Sequence, residues 1–113
     1  PLAGRRLLLP ASRSDLGARL EVLGAEVVIL PMPATPAARV VMGVLPMTGC
    51  IATTAAEVDW LDAERGVPGW DDQMIAWCVG QETAARAEEY GWPNVCELPM
   101  GVEDDELVAT IAG

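Results

Sequence analysis

Two short segments of the chain place hydroxyl groups at predicted helix starts, directly after apolar runs. The first is Gly80-Gln81-Glu82-Thr83, which follows the apolar run Met74 to Val79. A glycine after a strand lets the backbone turn sharply and approach a ligand, and the N–H groups that follow open a helix whose dipole favours an anion. This turn therefore predicts a site for an anionic or polar ligand, contacted by Gly80, Gln81 and Thr83. A plain strand-to-helix turn would have the same residues.

The pair Thr53-Thr54 occupies the corresponding place at the end of an earlier apolar run, Gly49 to Thr53. It also supplies hydroxyls at a helix N-terminus, where a plain N-cap is the alternative interpretation. Two such helix starts beside each other on one sheet edge indicate a ligand site more strongly than either does alone. We therefore predict that Thr53 and Thr54 contribute to the same site as the Gly80 turn.

The elements that must position these residues alternate between short apolar runs and helical segments. The predicted strands are Arg5–Pro10, Glu26–Leu30, Gly49–Thr53, Met74–Val79 and Asn94–Leu98. The predicted helices are one capped by Ser12 or Ser14 and ended by Gly24, then Ala37–Leu45, Ala55–Ala63, Gln81–Tyr90 and Glu103–Ile111.

This alternation predicts the fold class, because short strands without polar alternation are buried on both faces of a parallel sheet with right-handed crossovers. The simplest closure is a three-layer α/β fold with five mostly parallel strands in the flavodoxin-like order 2-1-3-4-5. Ligands of such sheets bind beyond the carboxyl ends of the strands. At 113 residues we expect a single domain, with an opening βαβ unit at 1–30, a proline-rich linker at 31–37 and the remainder at 38–113.

The charge of the chain excludes several classes of function. Residues 1–56 hold five Arg and three acidic residues, whereas residues 57–113 hold two Arg and fourteen acidic residues, and the net charge is −10. Binding to nucleic acid or to an anionic membrane needs a cationic surface, so neither partner is expected. The chain has no His, which removes the usual base of nucleophilic triads and the commonest metal ligand.

Cofactor and metal motifs are missing from the sequence. There is no GxGxxG after the first strand and no phosphate-binding GxxxxGK[ST], so we expect no cofactor. The first strand is not followed by an early acidic cluster and the third does not end in Asp, so a phosphoacceptor receiver lacks its reactive residue. The acidic runs Asp71-Asp72 and Glu103 to Glu106 are interpreted as solvated residues and not as a metal site.

The three cysteines, Cys50, Cys78 and Cys96, are widely spaced and form no CxxC motif. We interpret them as free thiols within apolar runs, which favours a reducing compartment and hence the cytoplasm. The longest uncharged run, Val40 to Ala56, is interrupted by Gly and Pro and is a poor membrane span.

Several segments, in family order, resemble uroporphyrinogen-III synthase. Leu2–Pro10, followed by a helix and Leu23–Val27, is similar to the βαβ opening of that family. Ile51–Val58 resembles its strand with a following Thr-Ser segment, and Val79–Ala85 resembles its Ile-Gly-x-x-Thr-Ala turn. Glu103–Ile111 resembles its closing helix. On this resemblance the chain is a divergent single lobe of the family.

The resemblance implies a lyase of tetrapyrrole (porphyrin, heme) biosynthesis that cyclises hydroxymethylbilane to uroporphyrinogen III without cofactor or metal. Thr54 would match the family's Ser and Thr83 its Thr, both binding carboxylates of the linear tetrapyrrole or another anionic small molecule. The other cleft wall would come from a second lobe or a second copy of the chain. Ala11 and Gln81 depart from the family's Arg and Pro. The alternative is a non-catalytic relative, an anion- or tetrapyrrole-binding or regulatory module of a larger protein.

Overall fold

The computed structural model describes residues 2–30, 47–63 and 73–112. The strands are β1 Arg6–Pro10, β2 Glu26–Leu30, β3 Gly49–Ala52, β4 Ile75–Val79 and β5 Val95–Leu98. The helices are α1 Ser14–Val22, α2 Ala55–Asp62, α3 Gln81–Glu89 and α4 Asp104–Ala112, with a 3-10 turn Ala11–Arg13 before α1. The predicted linker at 31–37, the predicted helix Ala37–Leu45 and the pair Asp71-Asp72 lie outside the described residues.

The five strands form one parallel sheet in the order β2-β1-β3-β4-β5. Neighbouring strands pair in register, with Leu8 opposite Val28 on one side and Cys50 on the other. The fold class predicted from the sequence, three-layer α/β with order 2-1-3-4-5, is confirmed. Because all strands run the same way, their carboxyl ends and the loops that follow them lie along one edge of the sheet.

Successive residues of each strand point to opposite faces and build two apolar layers. Leu8 points to the layer covered by α2 and α3, whereas Leu7 and Leu9 point to the layer covered by α1 and α4. All three leucines are fully buried. A sheet buried on both faces explains why the strands are continuous apolar runs without polar alternation.

The start of α1 differs from the prediction. Neither Ser12 nor Ser14 caps the helix, because Arg13 takes the N-cap position and makes no side-chain capping hydrogen bond. The 3-10 turn after Pro10 places Ser14 within the helix and leaves the Ser12 hydroxyl to bond elsewhere. The predicted end at Gly24 is confirmed: this residue has φ +103°, and the N–H of Ala25 donates to the Leu20 carbonyl at 3.2 Å.

Polar contacts join α2 to α3 on the outside of the layer that these two helices cover. Arg86 Nη1 lies 2.6 Å from Asp59 Oδ2, and the Tyr90 hydroxyl donates to Asp59 Oδ1 at 2.7 Å. The Arg86 guanidinium holds the pKa of Asp59 below its ordinary value, with a further contribution from the Tyr90 hydroxyl. Trp92 Nε1 donates to Asp62 at 2.8 Å. These contacts fix the two helices that begin at the predicted site.

Charged contacts also join the first and last helices. Arg13 Nη2 donates to Asp104 Oδ1 at 2.9 Å, and Arg19 contacts both Asp104 and Asp105. Near the C-terminal end of α4, Arg5 Nη1 donates to the Ile111 carbonyl at 2.8 Å. The helices α1 and α4 are thus held together at the carboxyl edge by two arginines and two aspartates.

Candidate functional site

The carboxyl edge brings three chain segments side by side. The order β1-β3-β4 places the 3-10 turn Ala11–Arg13, the pair Thr53-Thr54 and the Gly80 turn after three adjacent strands. The adjacency of the two predicted helix starts follows directly from the pairing of Ala52 with Cys78. The structure therefore places the residues of the predicted site on neighbouring strand ends, and their role as ligand contacts stays a prediction.

The centre of this edge is a carboxylate, Glu57, in the first turn of α2. Its Oε1 accepts hydrogen bonds from the Thr53 backbone N–H at 2.7 Å and from the Thr53 hydroxyl at 2.9 Å. Its Oε2 accepts a hydrogen bond from the Ser12 hydroxyl at 2.9 Å. Glu57 is only 7% exposed, which is unusual for a charged residue. One carboxylate thus ties the loop after β1 to the loop after β3.

Thr54 is the N-cap of α2, as the sequence predicts. Its Oγ1 accepts a hydrogen bond from the Glu57 backbone N–H at 3.2 Å. The spacing from Thr54 to Glu57 is that of a capping box, in which the acidic residue reaches back to the start of the helix. Here the carboxylate reaches Thr53, one residue beyond the N-cap.

A shallow, open cleft of about 200 Å³ lies against this carboxylate; we call it the Glu57 cleft. Its lining combines two hydroxyl-bearing residues, one acid, one indole and one methyl group, from Ser12, Thr54, Glu57, Trp60 and Ala56. Ser12 and Thr54 are exposed, whereas Trp60 is buried with 8% of its surface accessible. The accessible lining of the cleft is almost entirely apolar, although two of its residues carry a hydroxyl and one carries a carboxylate.

The Gly80 turn has the sharply turned backbone that the sequence predicts, but a side chain from another segment covers it. Gly80 has φ +93° and ψ 150°, a conformation that is essentially confined to glycine. A Cβ added here would lie 2.8 Å from Met100 Cε, so the Met100 side chain covers the turn. Thr83 is 2% exposed, whereas Gln81 and Glu82 at the start of α3 are exposed.

The surroundings of the edge are acidic. Glu82 lies in the first turn of α3, and Asp104 and Asp105 lie in the first turn of α4. The Arg13 guanidinium, which contacts Asp104, also holds the pKa of Asp15 below its ordinary value. Carboxylates already complement these helix dipoles, so an anionic ligand would compete with them.

The described residues offer no group of three His, Cys, Asp or Glu side chains that could hold a metal ion. Cys50 and Cys78 are free thiols buried in the sheet, and Cys96 is a partly buried free thiol. Burial raises the pKa of the Cys50 thiol and raises that of Cys78 to about 12. Within the same described ranges, no helix is long and apolar enough to cross a membrane.

The prediction missed two residues of this edge, Ser12 as a partner of the site and Glu57 as its centre. The signal for Glu57 was in the sequence, because Thr54-Ala55-Ala56-Glu57 has the capping-box spacing. No local signal identifies Ser12, because its bond to Glu57 spans 45 positions and exists only once β1 lies beside β3.

The fold and the edge define a doubly wound α/β domain of the flavodoxin-like order. No family model matches the chain, and no curated protein matches it. Among solved structures, the chain is similar to HP1043, an orphan response regulator of H. pylori. The TM-score is 0.53 at 17% identity, over 99% of this chain and 97% of that one. At this identity the likeness shows the shared fold.

These comparisons overturn the expectation drawn from the family resemblance. The predictions of a uroporphyrinogen-III synthase lobe, of tetrapyrrole cyclisation and of a tetrapyrrole-specific module as its alternative are wrong, because a solved structure that matches nearly the whole chain is a response regulator and no family model matches. The physical reason lies in the segments that suggested the family. A βαβ opening and a Gly-x-x-Thr turn are what a doubly wound sheet needs at these positions, so they follow the fold and not the chemistry.

Proposed function

We propose that the chain is a receiver-like regulatory domain that acts through contacts with a protein partner and does not accept a phosphoryl group. The likeness to an orphan response regulator over nearly the full length of both chains supports the regulatory part of this proposal. The chemistry of the carboxyl edge supports the second part. That edge is where an open α/β sheet carries its functional groups.

Phosphoryl transfer to a protein carboxylate requires an accessible carboxylate as nucleophile, and Mg²⁺ is held by one or two further carboxylates and the phosphate. In the described part of the chain, the ends of β1, β3 and β4 lead into Ser12, Thr53 and Gly80. Glu57, the carboxylate that joins the loops after β1 and β3, is buried and accepts three hydrogen bonds from neutral donors. This arrangement is the observation that carries the proposal.

The cytoplasmic location predicted from the sequence belongs to the same proposal. The free thiols Cys50, Cys78 and Cys96 support it, because unpaired cysteines suit a reducing compartment.

The phosphoryl part is tested by incubating the purified chain with acetyl phosphate and Mg²⁺ and following its intact mass. A receiver domain of known activity serves as the positive control under the same conditions. We expect no phosphoryl adduct on this chain and no Mg²⁺-dependent change in the amide spectrum of residues 53–57. An adduct on a carboxylate of the chain would refute independence from phosphorylation.

The regulatory part is tested in the source cells by deleting the coding segment and restoring it. We expect the deletion to change a defined set of transcripts or protein levels and the wild-type segment to restore them. A Glu88→Ala variant, altered at an exposed position of α3, serves as the matched control and should restore them equally. Unchanged profiles after deletion would contradict a regulatory role.

A further inference from the structure

The last helix, α4, is attached to the domain through few side chains. Two of its nine residues, Leu107 and Ile111, are buried, and Val108 and Ala112 pack partly buried against the same apolar layer. A hydrogen bond from Arg5 Nη1 to the Ile111 carbonyl, at 2.8 Å, holds its C-terminal end. Elements with few buried apolar contacts open locally at a lower free energy than the core of a domain. The attachment of α4 therefore depends on its polar contacts as well as on its apolar face.

The start of α4 is acidic, and its charge is balanced from α1. Residues 103–106 are four consecutive acids, Glu-Asp-Asp-Glu. Arg13 Nη2 donates to Asp104 Oδ1 at 2.9 Å, and Arg19 contacts both Asp104 and Asp105. We call these contacts the α1–α4 ion pairs. Without the two arginines, like charges within one helical turn would repel one another. The excess of arginine in the first half of the chain and of acid in the second half thus meet at this contact.

The other helix of this layer, α1, has a support of its own. Gly17 lies so close to β2 that an added Cβ would be 3.1 Å from both Val27 Cγ1 and Ile29 Cδ1. Leu16 and Leu20 of the same helix are fully buried. Because α1 packs directly on the edge strand, it keeps its place on the sheet when α4 is absent from the layer.

The chain between β5 and α4 has the properties of a hinge. Gly101 has φ +87°, and both Met100 and Gly101 are exposed. Hinges are a few loop residues that absorb a change in backbone angles. The α1–α4 ion pairs are themselves open to solvent, since the side chains of Asp104 and Arg19 are 37% and 42% exposed. Dissolved salt therefore reaches and screens them.

We propose that α4 opens as a unit from the domain and that the α1–α4 ion pairs keep it closed. Loss or screening of these pairs releases the helix about the hinge at Gly101 and uncovers the apolar layer that holds Leu16 and Leu20, while the sheet and α1 stay folded. The exposure of this layer thereby responds to the ionic surroundings. This device goes beyond the proposed regulatory function and is independent of it, because it needs only contacts within the domain.

The first test is native-state hydrogen exchange of the wild-type chain, followed by NMR as protection factors at constant pH. Raising NaCl from about 0.01 M to about 1 M shortens the Debye length from roughly 30 Å to about 3 Å. We expect the protection of the amides of Leu107, Val108 and Ile111 to fall together by at least about threefold. The amides of Leu8 and Cys50 in the central strands should change by less than about twofold. A smaller fall in α4, a fall shared equally by the strands, or a graded fall confined to the last residues of α4 would overturn the proposal.

The second test removes the two pairing charges with the double variant Arg13→Gln and Arg19→Gln. At low salt we expect the protection of the α4 amides to be about five- to tenfold lower than in the wild type. Its fall with added salt should be lost or reversed, because salt then screens only the repulsion among the acids. The control Arg86→Gln breaks a similarly exposed ion pair, with Asp59, and should leave both the protection of α4 and its salt response as in the wild type.

An unchanged protection of α4 in the folded double variant, or an unchanged fall with salt, would refute the role of the ion pairs. Should the double variant fail to fold, the salt series on the wild-type chain decides the matter. None of these outcomes depends on acetyl phosphate or on transcript profiles, so the opening of α4 and the regulatory function fail or stand separately.

Discussion

Replacing Glu57 by alanine should lower the free energy of unfolding by about 2–3 kcal/mol. The two bonds from Thr53, at 2.7 and 2.9 Å, account for most of this loss, because hydrogen bonds to a charged group each contribute about 1.5–3 kcal/mol and share one carboxylate here. The exposed Ser12 hydroxyl returns to water at little cost. Loss of a negative charge at the start of α2 adds about 0.3–1 kcal/mol, and the higher helix propensity of alanine recovers a few tenths.

The measurement is urea unfolding at 25 °C, followed by circular dichroism. Thermal melts should show a Tm lower by about 10 °C than that of the wild type. The control Glu88→Ala removes the same charge from an exposed helix position and should change stability by no more than about 0.5 kcal/mol. Glu57→Gln keeps one acceptor oxygen for Thr53 and should lose about 1 kcal/mol. If Glu57→Ala falls within about 0.5 kcal/mol of Glu88→Ala, the carboxylate does not hold the two loops and the reasoning about this edge is wrong.

Three further outcomes are expected. Gly80→Ala should destabilise the chain by about 1–3 kcal/mol in urea because of φ +93°, and removing the Met100 side chain as well should not restore most of that loss. The contact of Asp59 with Arg86 lowers the folded-state pKa of this acid, so its stabilisation is present above the ordinary pKa and is lost as the pH falls through the lowered one. Asp59→Asn should therefore flatten the fall in stability below about pH 4. Alkylation of the native protein should modify the partly exposed Cys96 first, because burial raises the pKa of the other two thiols.

The elements of the fold were predictable because each has a local cause. Leu7 to Leu9 form a short apolar run of the kind that a sheet buried on both faces accommodates, and Gly24 ends α1 by its positive φ. The parallel order then places Thr53 and Gly80 on neighbouring strand ends without further information. The predicted strand bounds differ from the observed ones by one residue at most, because the turn residues beside each strand fix its ends locally.

The centre of the site was not predicted, because its local signal does not show that the residue is buried. The Thr54-to-Glu57 spacing is a local signal that indicates a helix cap, but a cap is usually exposed and its burial depends on the loop after β1. Gly49, at the start of β3 and outside the site, has a requirement of the same kind: a side chain there would collide with the Trp77 ring, which no neighbouring residue in the sequence indicates. The family resemblance failed because its motifs at Gly80 and Thr83 are requirements of a strand-to-helix turn and are shared by unrelated sheets.

The arginine–aspartate contacts between α1 and α4 have a consequence for the order of folding during synthesis. Arg13 and Arg19 leave the ribosome about 90 residues before Asp104 and Asp105, with which they pair. Until α4 emerges, Leu16 and Leu20 of α1 lack the apolar cover that Leu107 and Ile111 give their layer. The nascent domain therefore cannot complete the apolar layer between the sheet and α1 until α4 has been made, and the packing of this nine-residue helix is the closing step of a cooperative transition.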